Sequence, residues 1–273
     1  MRARTVLTAA SALVAERPRL RRWLQPLRPA FEVLSRRLGP SGPSLNARYD
    51  ALTVEIIGRV LSDGDTGIDV GAHTGAILEE ILARSPTGTH YAFEPLPHLH
   101  DALAEAHRER IEAGGLVLSD RALSDRPGTT TFQHNVTSPG YSGLRRRRYD
   151  RGDTDIRVIT VERARLDDLV GREETVTFLK IDVEGGDYDV LVGGRELLAR
   201  DRPTVVFEFG PGGADHYDVT PSMMHRLFDE LAMDLYPLNP SIERPLDADG
   251  LQVQFDTANF YFCAVARGRP RPF

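Results

Sequence analysis

The chain of 273 residues reads as an α/β domain with a mainly parallel sheet covered by helices, preceded by a helical arm. Three observations predict this. Short, nearly continuous apolar runs (67–70, 90–93, 116–119, 176–181 and 204–209) alternate with segments of helical spacing, the pattern of strands buried on both faces and joined by crossover helices. A turn of small residues, Gly71-Ala72-His73-Thr74-Gly75, joins the first run to the helix after it. Acids end successive runs: Asp69, Glu94, Asp120, Asp182 and Glu208 all fall at the carboxyl edge, where open α/β sheets hold ligands.

Residues 1–45 form the expected arm and linker, and 46–273 the domain. The arm is basic: nine Arg against Glu16 and Glu32 leave +7 there, and −13 over the rest of a chain whose net charge is −6. Prolines 18, 26 and 29 break it into helical pieces, and Trp23, Leu24, Leu27, Phe31, Leu34 and Leu38 can form one apolar stripe. Its expected use is packing on the body or on a second subunit as a homodimer; an anionic membrane surface is the alternative. Residues 39–43 are a Gly/Pro linker. An acidic body argues against nucleic acid. No apolar run approaches the roughly 18 residues of a membrane span, so the expectation is a cytoplasmic chain without a transmembrane segment. A single cysteine, Cys263, excludes a disulfide framework and reads as a buried strand residue within 260–266. The near-total use of Arg over Lys reads as codon usage.

In order, a helix over 47–61 carries Leu52, Ile56, Val60 and Leu61 on one side, with Tyr49 placed to close a cleft. The organising turn follows. Gly71 and Gly75 lack a Cβ, so a ligand can lie against the main chain at a helix start, where unpaired N–H groups point outward. Glu94, some 20 residues on at the end of the second strand, is placed as a clamp on a ribose diol. The middle glycine of a dinucleotide G-x-G-x-x-G is absent, there is no phosphate-binding G-x-x-x-x-G-K-[ST], and the only lysine is Lys180. A nucleoside with a small carboxylate and no phosphate suits the turn, which describes S-adenosylmethionine. The expected cofactor contacts are Asp69, Gly71, Ala72, His73 and Gly75, then Glu94 and Pro95. Asp120, placed to bond an adenine amino group, follows with Arg121 and Ala122, and Asp182 completes the set.

Helices are expected over 76–83 and 98–111, with His98, His100 and His107 on the surface. Residues 129–134 and 157–162 alternate like paired strands. The polar stretch between them, 135–156 with Arg145 to Arg148, reads as a lid or a solvated loop, with contact to an anionic substrate as the sharper alternative. A helix over 188–198, a strand over 204–209, a helix over 222–231 and closing strands near Leu235 and 260–266 complete the reading.

Taken in order, IDVGAHTG (68–75), AFEP (92–95), RALSD (121–125) with Gly128, LDDL (166–169), LKIDVEGGDYDVL (179–191) and VFEFG (206–210) resemble the FkbM-type S-adenosylmethionine-dependent methyltransferases. The resemblance covers roughly 49–266 and leaves out the arm. The family usually has Glu where this chain has Asp187. It implies a seven-stranded class I methyltransferase fold and, commonly, O-methylation of a sugar or polyketide hydroxyl, with a small-molecule or saccharide acceptor. For such a reaction Asp182 is expected to face the methionine moiety or the acceptor and Glu184 to act as base or to orient one, with Glu208 and His216 as alternative bases. A magnesium ion held by Asp182, Glu208 and a third oxygen ligand is the less favoured rival, and no metal site is assigned. A different class again is a non-catalytic cofactor-binding or interaction module.

Overall fold

The computed structural model describes residues 44–145, 155–257 and 260–273. The helical readings of the arm, the linker and Arg146 to Arg148 lie outside the described residues. Of the two compact units into which the chain divides, 1–48 and 49–273, the second carries every element below except the first turn of helix α1 (Leu45–Val60).

Strand β1 (Thr66–Val70) is buried along its whole length and pairs in parallel with β2 (His90–Phe93) on one side and β7 (Val176–Ile181) on the other. With β3 (Leu116–Ser119), β8 (Thr204–Glu208), β9 (Met233–Pro237) and β10 (Tyr261–Ala266) they form a seven-stranded sheet of order β3-β2-β1-β7-β8-β10-β9. Only β10 runs antiparallel, inserted between β8 and β9. The expected mainly parallel sheet is present, with seven strands as the resemblance implies.

Alternation along the strands sorts side chains to two faces. Leu179, Ile181, Val205, Phe207, Phe262 and Ala264 enter the larger core, under helices α6 (Asp187–Gly193), α7 (Arg195–Asp201) and α8 (Pro221–Glu230). Phe178, Val206, Cys263 and Val265 face the other way and pack with Tyr49, Ile56 and Ile57 of α1. Burying each Val, Leu, Ile or Phe side chain among these contributes about 1.5–3 kcal/mol, which is why near-continuous apolar runs become central strands. His90 belongs to this core: its Nδ1 accepts the Gly67 N–H at 3.1 Å, and its Nε2 lies 2.7 Å from the Ser85 carbonyl oxygen.

A second sheet of order β4-β6-β5 joins β4 (Ala122–Leu123), β5 (Gly128–Asn135) and β6 (Ile156–Ala164); β5 and β6 pair as their alternation leads one to expect, and the pairing is antiparallel. Two helical expectations need correction, and two helices were not expected. After α2 (Ala76–Arg84), the helix over 98–111 divides at His107 into α3 (Pro97–Ala106) and α4 (Arg108–Glu112). LDDL forms a one-turn helix, α5 (Leu166–Leu169). The helix over 188–198 divides at Gly193 and Gly194, where it presses on the small sheet: a Cβ on Gly193 would lie 2.1 Å from the Ser124 carbonyl oxygen. Helix α9 (Ala248–Asp256), capped by the Asp247 carboxylate on the Gly250 N–H, was not expected, because its Asp/Gly-rich start reads as a loop. Among the described residues no helix is long and apolar enough to cross a membrane.

Candidate functional site

The turn after β1 is set by two glycines. Gly71 has φ 76°, and a Cβ there would lie 2.0 Å from the Asp182 carbonyl oxygen, so only a hydrogen lets the turn lie against the end of β7. Gly75, at φ 86°, opens α2. The Gly71 and Ala72 N–H groups both donate to the Phe93 carbonyl, fastening the turn to β2.

Glu94 completes that join. Its Oε2 accepts the His73 N–H at 2.8 Å and its Oε1 the Leu96 N–H at 2.9 Å, so one carboxylate braces the turns after β1 and β2. Burial raises its pKa, and the two N–H groups work in the opposite direction. Each oxygen keeps a further lone pair for a ligand hydroxyl. His73 is half-buried with positive φ, and its ring is held below the usual pKa by burial and then by the Lys180 charge. Pro95 is half-buried beside Glu94, while Asp120 and Arg121 are exposed and Ala122 is buried in β4. The Glu94 N–H bonded to the Ser119 carbonyl sets Asp120 at the neighbouring strand end.

Asp69 requires a correction. Expected on the rim, it is fully buried instead, with its carboxylate 3.4 Å from Lys180 Nζ and no well-directed hydrogen bond. Burial raises its pKa and the lysine charge opposes this. The reason is register: Asp69 and Lys180 are direct neighbours on β1 and β7 and point to the same face. In the sequence Lys180 is noted only as the one lysine and is given no role. Burial alone would lower its pKa, but the charges of Asp69 and Asp182 outweigh it and the ammonium is held protonated.

At the ends of β7 and β8 the structure brings Asp182, Glu184 and Glu208 together, with carboxylate oxygens within 4.8 Å of one another. The Tyr261 hydroxyl donates to Asp182 Oδ2 at 2.5 Å, and burial with the Asp182 charge holds that phenol well above its usual pKa. Glu184 has φ 60° and Gly185 φ 103°, and a Cβ on Gly185 would meet the Gly213 carbonyl carbon at 2.4 Å. The tight approach turns Glu184 back toward its neighbours. Asp187 was noted only as a departure from the family pattern, yet it holds this arrangement. Buried at 1% exposure, it accepts the Gly185 N–H on Oδ2 (3.3 Å) and the Glu208 N–H on Oδ1 (3.1 Å). An acid immediately before a predicted helix was the available signal.

His216 is not brought in: it lies exposed on a 3-10 turn, Ala214–Tyr217, where its N–H donates to the Gly213 carbonyl at 3.1 Å and its carbonyl oxygen accepts from Arg145 Nη1 at 2.6 Å. The described part of the expected lid crosses the site. Positions 140 and 143 lie beside His73 and Glu184 respectively, and the Arg145 N–H donates to the Tyr217 hydroxyl at 3.1 Å.

This geometry offers a backbone cradle beside carboxylates that can accept hydrogen bonds from hydroxyls, take up a proton, or ligate a cation. Residues 69–231 match the family described as Methyltransferase FkbM domain. A 2-O-methyltransferase NoeI of Sinorhizobium fredii is 28% identical over 151 residues, half of this chain and 59% of that protein, so the match spans about three-fifths of the relative's length. Among solved structures, a methyltransferase FkbM from Methylobacillus flagellatus is similar at 12% identity and a TM-score of 0.47, covering 88% of this chain and 59% of that one. A SAM-dependent O-methyltransferase from Thermotoga maritima is similar at 12% identity and a TM-score of 0.41, covering 87% and 71%. With the matched segment running from Asp69 through the glycine turn and the carboxylate cluster to Leu231, this chain belongs to the FkbM methyltransferase family.

Proposed function

We propose that the protein transfers a methyl group from S-adenosylmethionine to a hydroxyl of a sugar, glycolipid, polysaccharide or polyketide-type product. The observation that carries this reading is the direct contact of two half-sites: the glycine turn braced by Glu94 lies against the end of β7, from which Asp182 and Glu184 reach toward Glu208. Family membership and the 2-O-methyltransferase relative support it. An acidic body supports a small or saccharide acceptor over nucleic acid.

S-adenosylmethionine supplies an electrophilic methyl group, so the protein's task is mainly orientation, holding an acceptor oxygen about 3–3.5 Å from the methyl carbon. In this reading the glycine turn packs against the adenosine and Glu94 accepts hydrogen bonds from its ribose, while Asp182, fixed by Tyr261, borders the methionine side. Glu184 accepts the proton of the acceptor hydroxyl, a step that contributes typically ~10²–10⁴ in rate. Glu208 orients the hydroxyl or takes over as base.

Thermal unfolding with S-adenosylhomocysteine tests the cofactor assignment: a clear rise in Tm is expected for the wild type, and none for Glu94→Gln. With labelled donor and a panel of neutral glycosides, Glu184→Gln is expected to keep the Tm rise and lose about 10²-fold or more in turnover. Normal binding and turnover in both variants would refute these roles.

A second reading has the carboxylates of Asp182, Glu184 and Glu208 holding a divalent cation that lowers the pKa of the acceptor hydroxyl. Their close grouping is the observation in its favour, and turnover unchanged by a chelator disposes of it.

A further inference from the structure

Of the 34 Lys and Arg residues in this chain, one alone is lysine. That exception, Lys180, is 7% exposed in the middle of the site. Its Nζ donates to the Gly71 carbonyl oxygen at 3.1 Å and lies 3.4 Å from Asp69 Oδ1 and 3.7 Å from Asp182 Oδ2. Three acceptors gathered around one point match an ammonium, a compact charge with three donors; the planar fork of a guanidinium is larger and directs its donors elsewhere. A codon preference that replaces lysine everywhere else does not account for its retention here.

The three partners belong to different parts of the site. Gly71 lies in the turn that takes the adenosine in the proposed function, Asp182 borders the methionine side as a member of the carboxylate cluster, and Asp69 faces neither. Fully buried and without a directed hydrogen bond of its own, Asp69 has the lysine charge to offset its desolvation.

We propose that Lys180, anchored by the buried Asp69, is a positioning residue that holds the Gly71 carbonyl and the Asp182 carboxylate in fixed relation and so couples the cofactor turn to the carboxylate cluster. This rests on the methyl-transfer reading of the site. It assigns Asp69 an indirect role, through the lysine rather than on the ligand.

A buried ion pair that served stability alone would behave differently from one that positions. Removing one partner leaves an uncompensated charge and is strongly destabilising, whereas removing both is close to neutral. The experiment compares wild type, Asp69→Asn, Lys180→Met, Lys180→Arg and the double variant Asp69→Asn/Lys180→Met, by urea unfolding and by calorimetric titration with S-adenosylhomocysteine. Lys180→Met is expected to lose stability and the double variant to regain most of it. Even so, the double variant is expected to bind S-adenosylhomocysteine at least about tenfold more weakly than wild type, and Lys180→Arg to fail to restore binding. If Lys180→Met does not fold, the double variant and the isosteric Asp69→Asn carry the test, the latter weakening binding at least about threefold because the ammonium loses its anchor. Binding within roughly twofold of wild type in the double variant or in Asp69→Asn overturns the proposal and leaves the cofactor assignment standing. A wild-type protein that does not bind S-adenosylhomocysteine overturns the cofactor assignment, and the proposal with it.

Discussion

Gly71 and Gly114 adopt almost the same backbone, φ 76° and 77°, and yet only the first is bound to the site. An alanine at either position meets the left-handed strain, which costs about 1 kcal/mol. At Gly114 that is the whole cost, since nothing lies within 4 Å of the added Cβ. At Gly71 the Cβ falls 2.0 Å from the Asp182 carbonyl oxygen, a backbone atom that cannot rotate away. Gly114→Ala is therefore expected to lower stability by about 1 kcal/mol, and Gly71→Ala by about 3 kcal/mol or more with loss of S-adenosylhomocysteine binding. Urea unfolding of the two variants side by side measures the difference, and equal losses would show that the turn does not press on β7.

At the scale of elements, the site depends on two strand-to-helix turns sharing one carboxylate. Glu94 is buried at 4% exposure, and burial holds its carboxyl above the ordinary value of 4.5, opposed by the N–H groups of Leu96 and His73. Between the ordinary and the raised value the folded protein keeps a proton that the unfolded chain has released. Its contribution to stability is therefore greatest below the ordinary value and falls as pH rises through the raised one. Glutamine at this position has no proton to lose and offers one acceptor where the two turns need two. Wild type is expected to exceed Glu94→Gln in stability by the largest margin near pH 4, with the margin shrinking toward neutrality. Denaturation midpoints at several pH values check this, and a margin that widens with pH would reverse the assignment.

At the scale of the molecule, the sheet is completed only when the last strand, β10, inserts between β8 and β9. Cys263 is at the middle of that strand, fully buried, its thiol pushed well above the usual pKa by burial. A local opening must withdraw β10, or lift α1 from the face where Cys263 packs, to expose it. A soluble thiol reagent is expected to label Cys263 at least about 10³-fold more slowly in the native protein than in urea, with a rate that tracks global unfolding. Labelling much faster than unfolding would mean that the β8–β10–β9 edge, or α1 packed on it, opens separately.

What the sequence determined by itself was whatever depends on near neighbours in the chain. The apolar runs named the strands, the alternation of residues 129–134 and 157–162 named a strand and its partner, and acids ending successive runs named the edge where Asp182, Glu184 and Glu208 meet, because strand period and glycine stereochemistry are local properties. What only the tertiary structure decided was which side chains those local choices bring opposite one another. Asp69 reads the same in sequence whether it faces a ligand or a lysine; the register that sets it beside Lys180 arises from pairing across a separation of 111 residues. The break at Gly193 and the inward pull of Asp187 likewise follow from how close one element comes to another, a distance that no window of the chain contains.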